Sequence, residues 1–279
     1  MSGTLYIVAT PIGNLEDITL RALRILQEVD LVACEDTRQT ARLLTHYQIR
    51  KPATSYHEHN ETEKSRYLLE LLTEGKTIAL VSDAGTPCIS DPGYRIVRRA
   101  LENGIQVVPI PGPCSFIAAL SASGRPTDAF TFLGFLPARG GARRTLLESL
   151  RTDSRTLIFF ESPTRLRECL GDLLKILGDR PVTIGRELTK LYEELYSGAV
   201  SGALAHFGVR SVKGELVLIV AKGEKPVQDL NSLDPIDLKR RVEEYMRTGN
   251  LAKNEAIKRL AQELNVPKRN LYALLLEKR

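Results

Sequence analysis

The strongest constraint on the fold is a buried strand that runs directly into a long loop of turn-forming residues. Residues 78–81 (IALV) form an uninterrupted apolar run, which predicts a central parallel strand covered on both faces. Residues 82–93 (SDAGTPCISDPG) follow at once, and residues 94–104 predict a helix. Because ligands bind at the carboxyl ends of strands in open α/β sheets, this loop predicts a small-molecule site. The alternative is an ordinary strand-to-helix connection.

Two further segments repeat this order of strand, loop and helix. Residues 5–9 lead into a Pro-Gly loop, after which Asp17 or Thr19 begins a helix. Residues 107–108 lead into the PGPC loop at 111–114 and then into a helix rich in small residues. Three loops of the kind that holds ligands therefore follow three separate strands, which favours the binding interpretation.

Eight short motifs together resemble one protein family. They are ATPIGNLEDIT (9–19), EDTR (35–38), SDAGTP (82–87), DPGY (91–94), PGPC (111–114), GFLP (134–137), FFES (159–162) and RELTK (186–190). The chain resembles, over about residues 5–222, the ribosomal small-subunit methyltransferase I family of the tetrapyrrole methylase superfamily. This resemblance implies an S-adenosylmethionine-dependent enzyme that methylates the ribose 2′-oxygen of a decoding-centre cytidine, with 16S rRNA or the small ribosomal subunit as partner, and a homodimer.

The resemblance also implies a cofactor site in the cleft between two domains. S-adenosylmethionine carries a sulfonium and no phosphate, and the sequence contains neither a Walker motif nor GxGxxG. Gly85 would let the backbone approach the ligand closely. The implied contacts are Pro11, Ser82, Asp83, Gly85, Thr86, Cys114, Ser115, Glu161 and Leu188.

Transfer to a ribose hydroxyl benefits from a base or from a cation near the developing alkoxide, because the hydroxyl is a weak nucleophile. Two charged motifs offer such groups. The candidates are Glu35, Asp36 and Arg38 of EDTR, and Arg186, Glu187 and Lys190 of RELTK, Lys190 being also a candidate RNA contact. Either set could instead be an ion-pair network that braces the cleft.

Basic residues suggest where RNA would bind. Arg139, Arg143 and Arg144 lie in a glycine-rich segment that predicts phosphate contacts or simply a flexible surface loop. The net charge is +5, and residues 237–279 alone hold 11 basic and 6 acidic residues. This excess, with Lys268 and Arg269 among its members, favours RNA binding through counterion release. A solubilising surface helix is the alternative.

The alternation of elements predicts an α/β fold with two α/β domains of tetrapyrrole methylase type and a small helical tail. Residues 1–111 should contain a mostly parallel five-stranded sheet. Residues 112–222 should contain a mixed sheet, because the pattern of residues 180–198 predicts an antiparallel hairpin. Residues 223–235 predict a linker, and residues 236–279 a basic helix-turn-helix-like tail with its turn at 265–267.

The tail should share one apolar face across three short helices. Its members are Leu251, Ala256, Leu260, Leu264, Val266, Leu271 and Leu274.

Several classes of protein are disfavoured. No apolar run reaches the roughly 20 residues of a membrane span, and no signal region opens the sequence, so we expect a cytoplasmic protein. The four cysteines are widely separated, and neither they nor His57 and His59 predict a metal site. Two alternatives to the RNA methyltransferase stay open: a methyltransferase of small tetrapyrroles and a non-catalytic RNA-binding protein.

Overall fold

The computed structural model describes residues 2–209, 211–223, 234–264 and 266–276. The chain divides into two compact units. The first comprises Met1–Glu148 and Arg155–Ala221 and contains both sheets; the second comprises Ser149–Ser154 and Lys222–Arg279. The predicted boundary at 111/112 falls inside the first unit and stays a prediction. Most of the predicted linker, 224–233, lies outside the described residues.

The first sheet is entirely parallel, as predicted. Its strands are β1 (Thr4–Val8), β2 (Leu31–Cys34), β3 (Ala53–Ser55), β4 (Ile78–Val81) and β5 (Gln106–Ile110), in the order β3-β2-β4-β1-β5. The connecting helices are α1 (Leu20–Glu28), α2 (Thr37–His46), α3 (Glu61–Thr73) and α4 (Tyr94–Glu102), with a 3-10 turn at Leu15–Asp17. All four residues of β4 are buried, because helices cover the sheet on both faces.

Local side chains explain where the first helices begin. Of the two candidate starts, Thr19 caps α1 by accepting the Ala22 N–H at 3.1 Å, and Asn14 caps the preceding 3-10 turn. Asp36 caps α2 by accepting the Arg38 N–H at 2.8 Å. These caps fix how the chain leaves β1 and β2 at the edge where the predicted site lies.

The second sheet is mixed, which confirms the prediction. Its strands are β6 (Phe130–Phe135), β7 (Thr156–Glu161), β8 (Pro181–Arg186), β9 (Glu194–Ala199) and β10 (Leu216–Val220), in the order β6-β7-β10-β8-β9. Strands β8 and β9 form the predicted antiparallel hairpin, β6 pairs parallel with β7, and β10 runs antiparallel to both of its neighbours. The helices are α5 (Ser115–Ala122), α6 (Gly140–Ser149), α7 (Leu166–Leu177) and α8 (Val200–Gly208).

One local expectation is wrong. The alternative expectation for the arginine- and glycine-rich segment, a flexible surface loop, does not hold, because its residues from Gly140 onward form α6. Arg143 and Leu147 face inward on this helix, and the buried ion pair of Arg143 with Asp172 anchors it. Two consecutive glycines disfavour a helix, and here tertiary packing overrides that preference.

The second unit contains α9 (Pro235–Gly249), α10 (Lys253–Glu263) and α11 (Lys268–Leu276). The predicted shared face is confirmed: five of its seven members are buried in one cluster, and Leu251 and Leu274 pack against that cluster. The predicted turn includes Asn265, which lies outside the described residues. No helix among the described residues is long and apolar enough to cross a membrane.

Candidate functional site

A cavity of about 430 Å³ lies at the carboxyl ends of the first sheet and is completed by residues of the second sheet. This size suits a drug-sized organic ligand. Seven of the nine predicted cofactor contacts line it: Asp83, Gly85, Thr86, Cys114, Ser115, Glu161 and Leu188. Pro11 and Ser82 line a neighbouring groove instead.

Backbone and hydroxyl hydrogen bonds tie the three predicted ligand loops together. Thr10 and Gly85 exchange N–H to carbonyl bonds of 2.9 and 3.0 Å, and the Thr10 hydroxyl donates to the Ser82 carbonyl at 3.0 Å. The Thr86 hydroxyl donates to the carbonyl of Pro113 at 3.0 Å. The loops after β1, β4 and β5 thus support one another, so the cavity wall is held by the fold itself.

The backbone around the cavity adopts conformations that side chains disfavour. In the loop after β4, Cys88 and Ser90 have φ angles of 70° and 62°, and in the RELTK loop Glu187 and Thr189 have φ angles of 50° and 66°. Non-glycine residues in the left-handed region cost free energy and concentrate at functional sites. Both loops contribute to the cavity, through Ser90 and through Leu188.

The charged side chains of this cavity are acidic. Glu35, Asp83, Asp91, Glu161 and Glu215 line it, and no lysine, arginine or histidine is among its described lining residues. Burial, with the nearby carboxylates of Asp91, Asp83 and Asp36, raises the pKa of Glu35. Burial likewise raises the pKa of Asp91, with Asp83 and Glu215 adding to the effect. Such a wall favours a cationic ligand.

Glu161 is held rigidly at the cavity edge. Its carboxylate accepts the Ser162 N–H at 2.7 Å and pairs with the Arg165 guanidinium at 2.5 Å. Arg165 also donates to the Leu136 carbonyl at 3.3 Å and to the Ser162 hydroxyl at 3.2 Å. One guanidinium therefore links the FFES and GFLP motifs. The nearby Cys169 thiol has a raised pKa because it is buried and faces Glu161.

The EDTR candidates separate into different environments. Glu35 lines the cavity, whereas neither Asp36 nor Arg38 does. Asp36 accepts three hydrogen bonds from Arg38, of 2.8, 3.1 and 2.7 Å, and these lower the pKa of Asp36 to about 2. A carboxylate with so low a pKa is a weak base. The geometry therefore favours Glu35 over Asp36 as a proton acceptor and makes Asp36 a helix cap.

The RELTK candidates form an ion-pair network. Arg186 bonds Glu194 at 2.9 Å, and the Lys190 ammonium lies 2.9 Å from Glu187 and 3.2 Å from Glu215. Hydrogen bonds from the Glu215 N–H and Lys190 outweigh the effect of burial and lower the pKa of Glu187. Neither Arg186 nor Glu187 lines the cavity, which favours the bracing interpretation for both.

The candidate RNA contacts differ in exposure. Arg143 is 2% exposed and bonds Asp172 at 2.7 Å, so a phosphate does not reach it; this placement argues against an RNA contact there. Arg139 and Arg144 are exposed on the surface of the first unit. In the second unit Lys268 and Arg269 are exposed in the first turn of α11.

Sequence reasoning missed two parts of this region. Phe116, Phe135 and Phe160 form an aromatic wall of the cavity, with the rings of Phe135 and Phe160 5.5 Å apart. For Phe135, the alternating FTFLGF sequence of β6 was the available signal. The neighbouring groove, of about 370 Å³, is lined in part by Gln39 and Arg42 of α2, for which no motif gave a signal.

Comparison with known proteins decides the family. The profile of the tetrapyrrole (corrin/porphyrin) methylases matches residues 4–205. "Ribosomal RNA small subunit methyltransferase I" of Halalkalibacterium halodurans is 51% identical over 97% of this chain and 93% of its own length. The chain belongs to the ribosomal RNA small subunit methyltransferase I family. The protein of the same name from Escherichia coli O157:H7 is 48% identical over 99% of this chain and 95% of its own length.

Comparison with solved structures bears on the fold. The crystal structure of uroporphyrin-III C-methyl transferase from Thermus thermophilus complexed with S-adenyl homocysteine matches with a TM-score of 0.56 and 21% identity. The match covers 78% of this chain and 97% of that chain. Both the family resemblance and the fold class predicted from the sequence are thus confirmed. Among the described residues no cluster of three or more His, Cys, Asp or Glu side chains could hold a metal ion.

Proposed function

We propose that this chain transfers a methyl group from S-adenosylmethionine to ribosomal RNA of the small subunit, at the ribose 2′-oxygen of a cytidine in the decoding centre. The observation that carries the proposal is an acidic, partly aromatic cavity at the carboxyl ends of the first sheet, in a chain whose relatives are named for methylation of this RNA. The 2′-oxygen, the cytidine and the decoding centre rest on the family resemblance.

S-adenosylmethionine is the methyl donor, and the cavity residues fit it. It supplies a methyl group already activated on a positively charged sulfur. The carboxylates of Asp83, Asp91 and Glu215 favour that charge, and Phe116 and Phe160 offer apolar surface for a flat base. Gly85, at φ +82°, keeps this part of the wall free of a side chain. The volume of about 430 Å³ accommodates a ligand of this size.

Glu35 is the proton acceptor in this proposal. It lines the cavity, and its raised pKa brings its basicity closer to the operating pH than that of an ordinary glutamate. Glu35 would accept the hydroxyl proton on a carboxylate oxygen as the ribose oxygen gains the methyl group and the sulfur–methyl bond breaks, with S-adenosylhomocysteine as the leaving group; the proton would then pass to water. Asp36 and Arg38 stay candidates from sequence, but their mutual pairing and position outside the cavity make them positioning residues for α2.

Lys190 stays a candidate RNA contact beside the cavity, in the neighbouring groove. Further RNA contacts would come from exposed cations elsewhere: Arg139 and Arg144 of the first unit, and Lys268 and Arg269 of the second. A homodimer and a cytoplasmic location also remain proposals; light scattering at micromolar concentration would test the dimer, and a purely monomeric mass would refute it.

The deciding experiment measures transfer of labelled methyl groups to small ribosomal subunits isolated from cells that lack the gene for this chain. We expect one labelled cytidine, found by nuclease digestion and mass spectrometry. Naked 16S rRNA and uroporphyrinogen III are parallel acceptors, and subunits from cells that carry the gene are the control for prior methylation. Label in the tetrapyrrole alone would establish the small-molecule enzyme. RNA binding without any transfer would establish a non-catalytic binder.

A further inference from the structure

We propose that the groove beside the cavity is the binding site for the acceptor nucleotide of the RNA, and that Arg42 and Lys190 hold its phosphodiester. This groove is formed by the loop after β1, by α2 and by the RELTK loop, all within the first unit. The inference deepens the proposed function and rests on it, because it assigns a place to the RNA substrate of the same site.

The groove and the cavity share a wall. Ile12, Asp83, Ala84 and Glu215 line both, so a group bound in the groove lies directly beside whatever fills the cavity. The groove volume of about 370 Å³ is suited to one nucleotide rather than a folded helix of RNA. A nucleotide seated there would present its ribose at the shared wall, which is the arrangement that methyl transfer between two bound molecules requires.

The two spaces differ in charge. The cavity has acidic residues and no basic residue among its described lining residues, whereas Arg42 and Lys190 both line the groove. Asp83 and Glu215 also line the groove, so its two cations offset two carboxylates, whereas the described lining residues of the cavity include carboxylates and no cation. A cationic ligand therefore favours the cavity, and a phosphate favours the groove over the cavity. The two differently charged substrates would thus occupy adjoining spaces.

Lys190 is held in place by its loop. A methyl group built on Gly13 would lie 2.4 Å from the Lys190 Cγ, which shows how closely the lysine stem crosses the loop after β1. The Asn14 N–H donates to the Thr189 hydroxyl at 3.1 Å, and Thr189 itself has a φ angle of 66°. The ammonium is shared between Glu187 and Glu215, so it is oriented before any RNA arrives.

Arg42 supplies the second positive charge. It is exposed on α2, and its guanidinium donates at 3.3 Å to the neutral amide oxygen of Gln39, a partner that leaves the charge uncompensated. A guanidinium matches the geometry of a phosphate with two parallel N–H bonds. Arg42 is exposed and lines the groove but not the cavity, so its replacement should leave the fold and the cavity unchanged.

The test compares Arg42→Ala with Arg24→Ala, its matched control. Arg24 is an exposed arginine of α1 that pairs with Glu28 and lines neither the cavity nor the groove, so both variants lose one surface charge. Each variant of the full chain is measured for equilibrium binding of small subunits between 50 and roughly 200 mM salt, the range over which phosphate contacts weaken visibly. Calorimetry with S-adenosylhomocysteine reports the cavity separately.

For Arg42→Ala we expect the Kd for subunits to rise about tenfold and the slope of log K against log salt to become shallower by about one. Arg42→Lys, which keeps the charge, should recover the slope but only part of the affinity. The S-adenosylhomocysteine affinity should stay within about twofold of wild type in every variant, since the cavity is untouched.

If Arg42→Ala and Arg24→Ala have the same affinity for subunits and the same slope of log K against log salt, the groove is not the binding site for the acceptor nucleotide. The proposed function still stands in that case, provided that wild type methylates the subunits. A loss of cofactor affinity in Arg42→Ala would also overturn this assignment of the groove, because the groove would then belong to the cofactor site. Failure of wild type to bind or methylate the subunits would refute the proposed function and the groove together.

Discussion

Gly85 offers the sharpest test of the cavity, because its backbone and its surroundings make separate predictions. Its φ angle is +82°, a conformation that an L side chain adopts only with strain. A Cβ built at this position would lie 3.4 Å from the Ile12 Cγ2 and 3.8 Å from the Pro113 carbonyl oxygen, which is ordinary contact. Gly85→Ala therefore carries the backbone cost and little steric cost.

Gly104 provides the matched control. Its φ angle is +69°, no atom lies within 4 Å of a Cβ built on it, and it lies outside the cavity lining. The left-handed conformation costs roughly 1–2 kcal/mol for a residue with a side chain. For a domain of 150–250 residues, each kcal/mol of lost stability lowers Tm by about 2–4 °C. Both alanine variants should therefore melt about 2–8 °C below wild type.

Cofactor binding should separate the two variants. Gly85 lines the cavity between Ile12 and the PGPC loop, so a side chain there alters the cavity wall, and Gly85→Val adds two more methyl groups. We expect Gly85→Val to weaken S-adenosylmethionine binding at least tenfold by calorimetry, Gly85→Ala less, and Gly104→Ala not at all. Unchanged affinity in Gly85→Val, with the expected loss of thermal stability, would remove this loop from the cofactor site.

Three further predictions concern the base, the buried arginine and the tail. Glu35→Gln should lower single-turnover rates about 10²-fold, whereas Asp36→Asn should change them much less. In wild type the rate should fall as the pH drops through the raised pKa of Glu35, because the base becomes protonated. This fall at low pH should be absent in Glu35→Gln. Equal losses in the two variants would restore Asp36 as a candidate base. Arg143→Ala should destabilise the fold by about 3 kcal/mol in urea unfolding, because it removes the buried 2.7 Å bond to Asp172 and leaves that carboxylate only the more distant Arg144, at 3.7 Å. Arg144→Ala removes the longer and more exposed contact and should cost under about 1 kcal/mol; equal values would contradict the buried ion pair. Deleting residues from Ser232 onward should weaken RNA binding and flatten its salt dependence without changing cofactor affinity, and an unchanged salt slope would reduce the tail to a stabilising appendage.

The sequence predicted the elements well where local signals and burial agree. Helix α1 begins at one of the two starts predicted from the sequence, because the Thr19 cap acts within a few residues. Strand β4 is a short apolar run that burial on two faces makes unmistakable. Helix α6 was missed because its stability comes from Arg143 meeting Asp172, 29 positions away, and a local pattern cannot report that contact.

In the candidate site, too, some residues were predicted from local signals and others were missed. Residues in motifs, such as Asp83 and Thr86, were found because turn chemistry marks a loop at a strand end. Arg42 and the aromatic wall were missed because only the crossover connections bring them to the cavity and groove. The different environments of Glu35 and Asp36 are also invisible in the sequence: both lie in the turn between β2 and α2, where Asp36 caps the helix and only Glu35 lines the cavity.

The acidic cavity wall interacts differently with the charged cofactor and with the neutral product. Methyl transfer converts a positively charged sulfur into a neutral one, so carboxylates such as Asp91 and Glu215 stabilise the cofactor more than the product. Interactions that are stronger in the ground state than in the transition state improve binding but do not raise the rate of the chemical step. In the proposed mechanism the wall therefore serves cofactor capture and product release, and rate acceleration comes from alignment of the two substrates and from proton removal by Glu35.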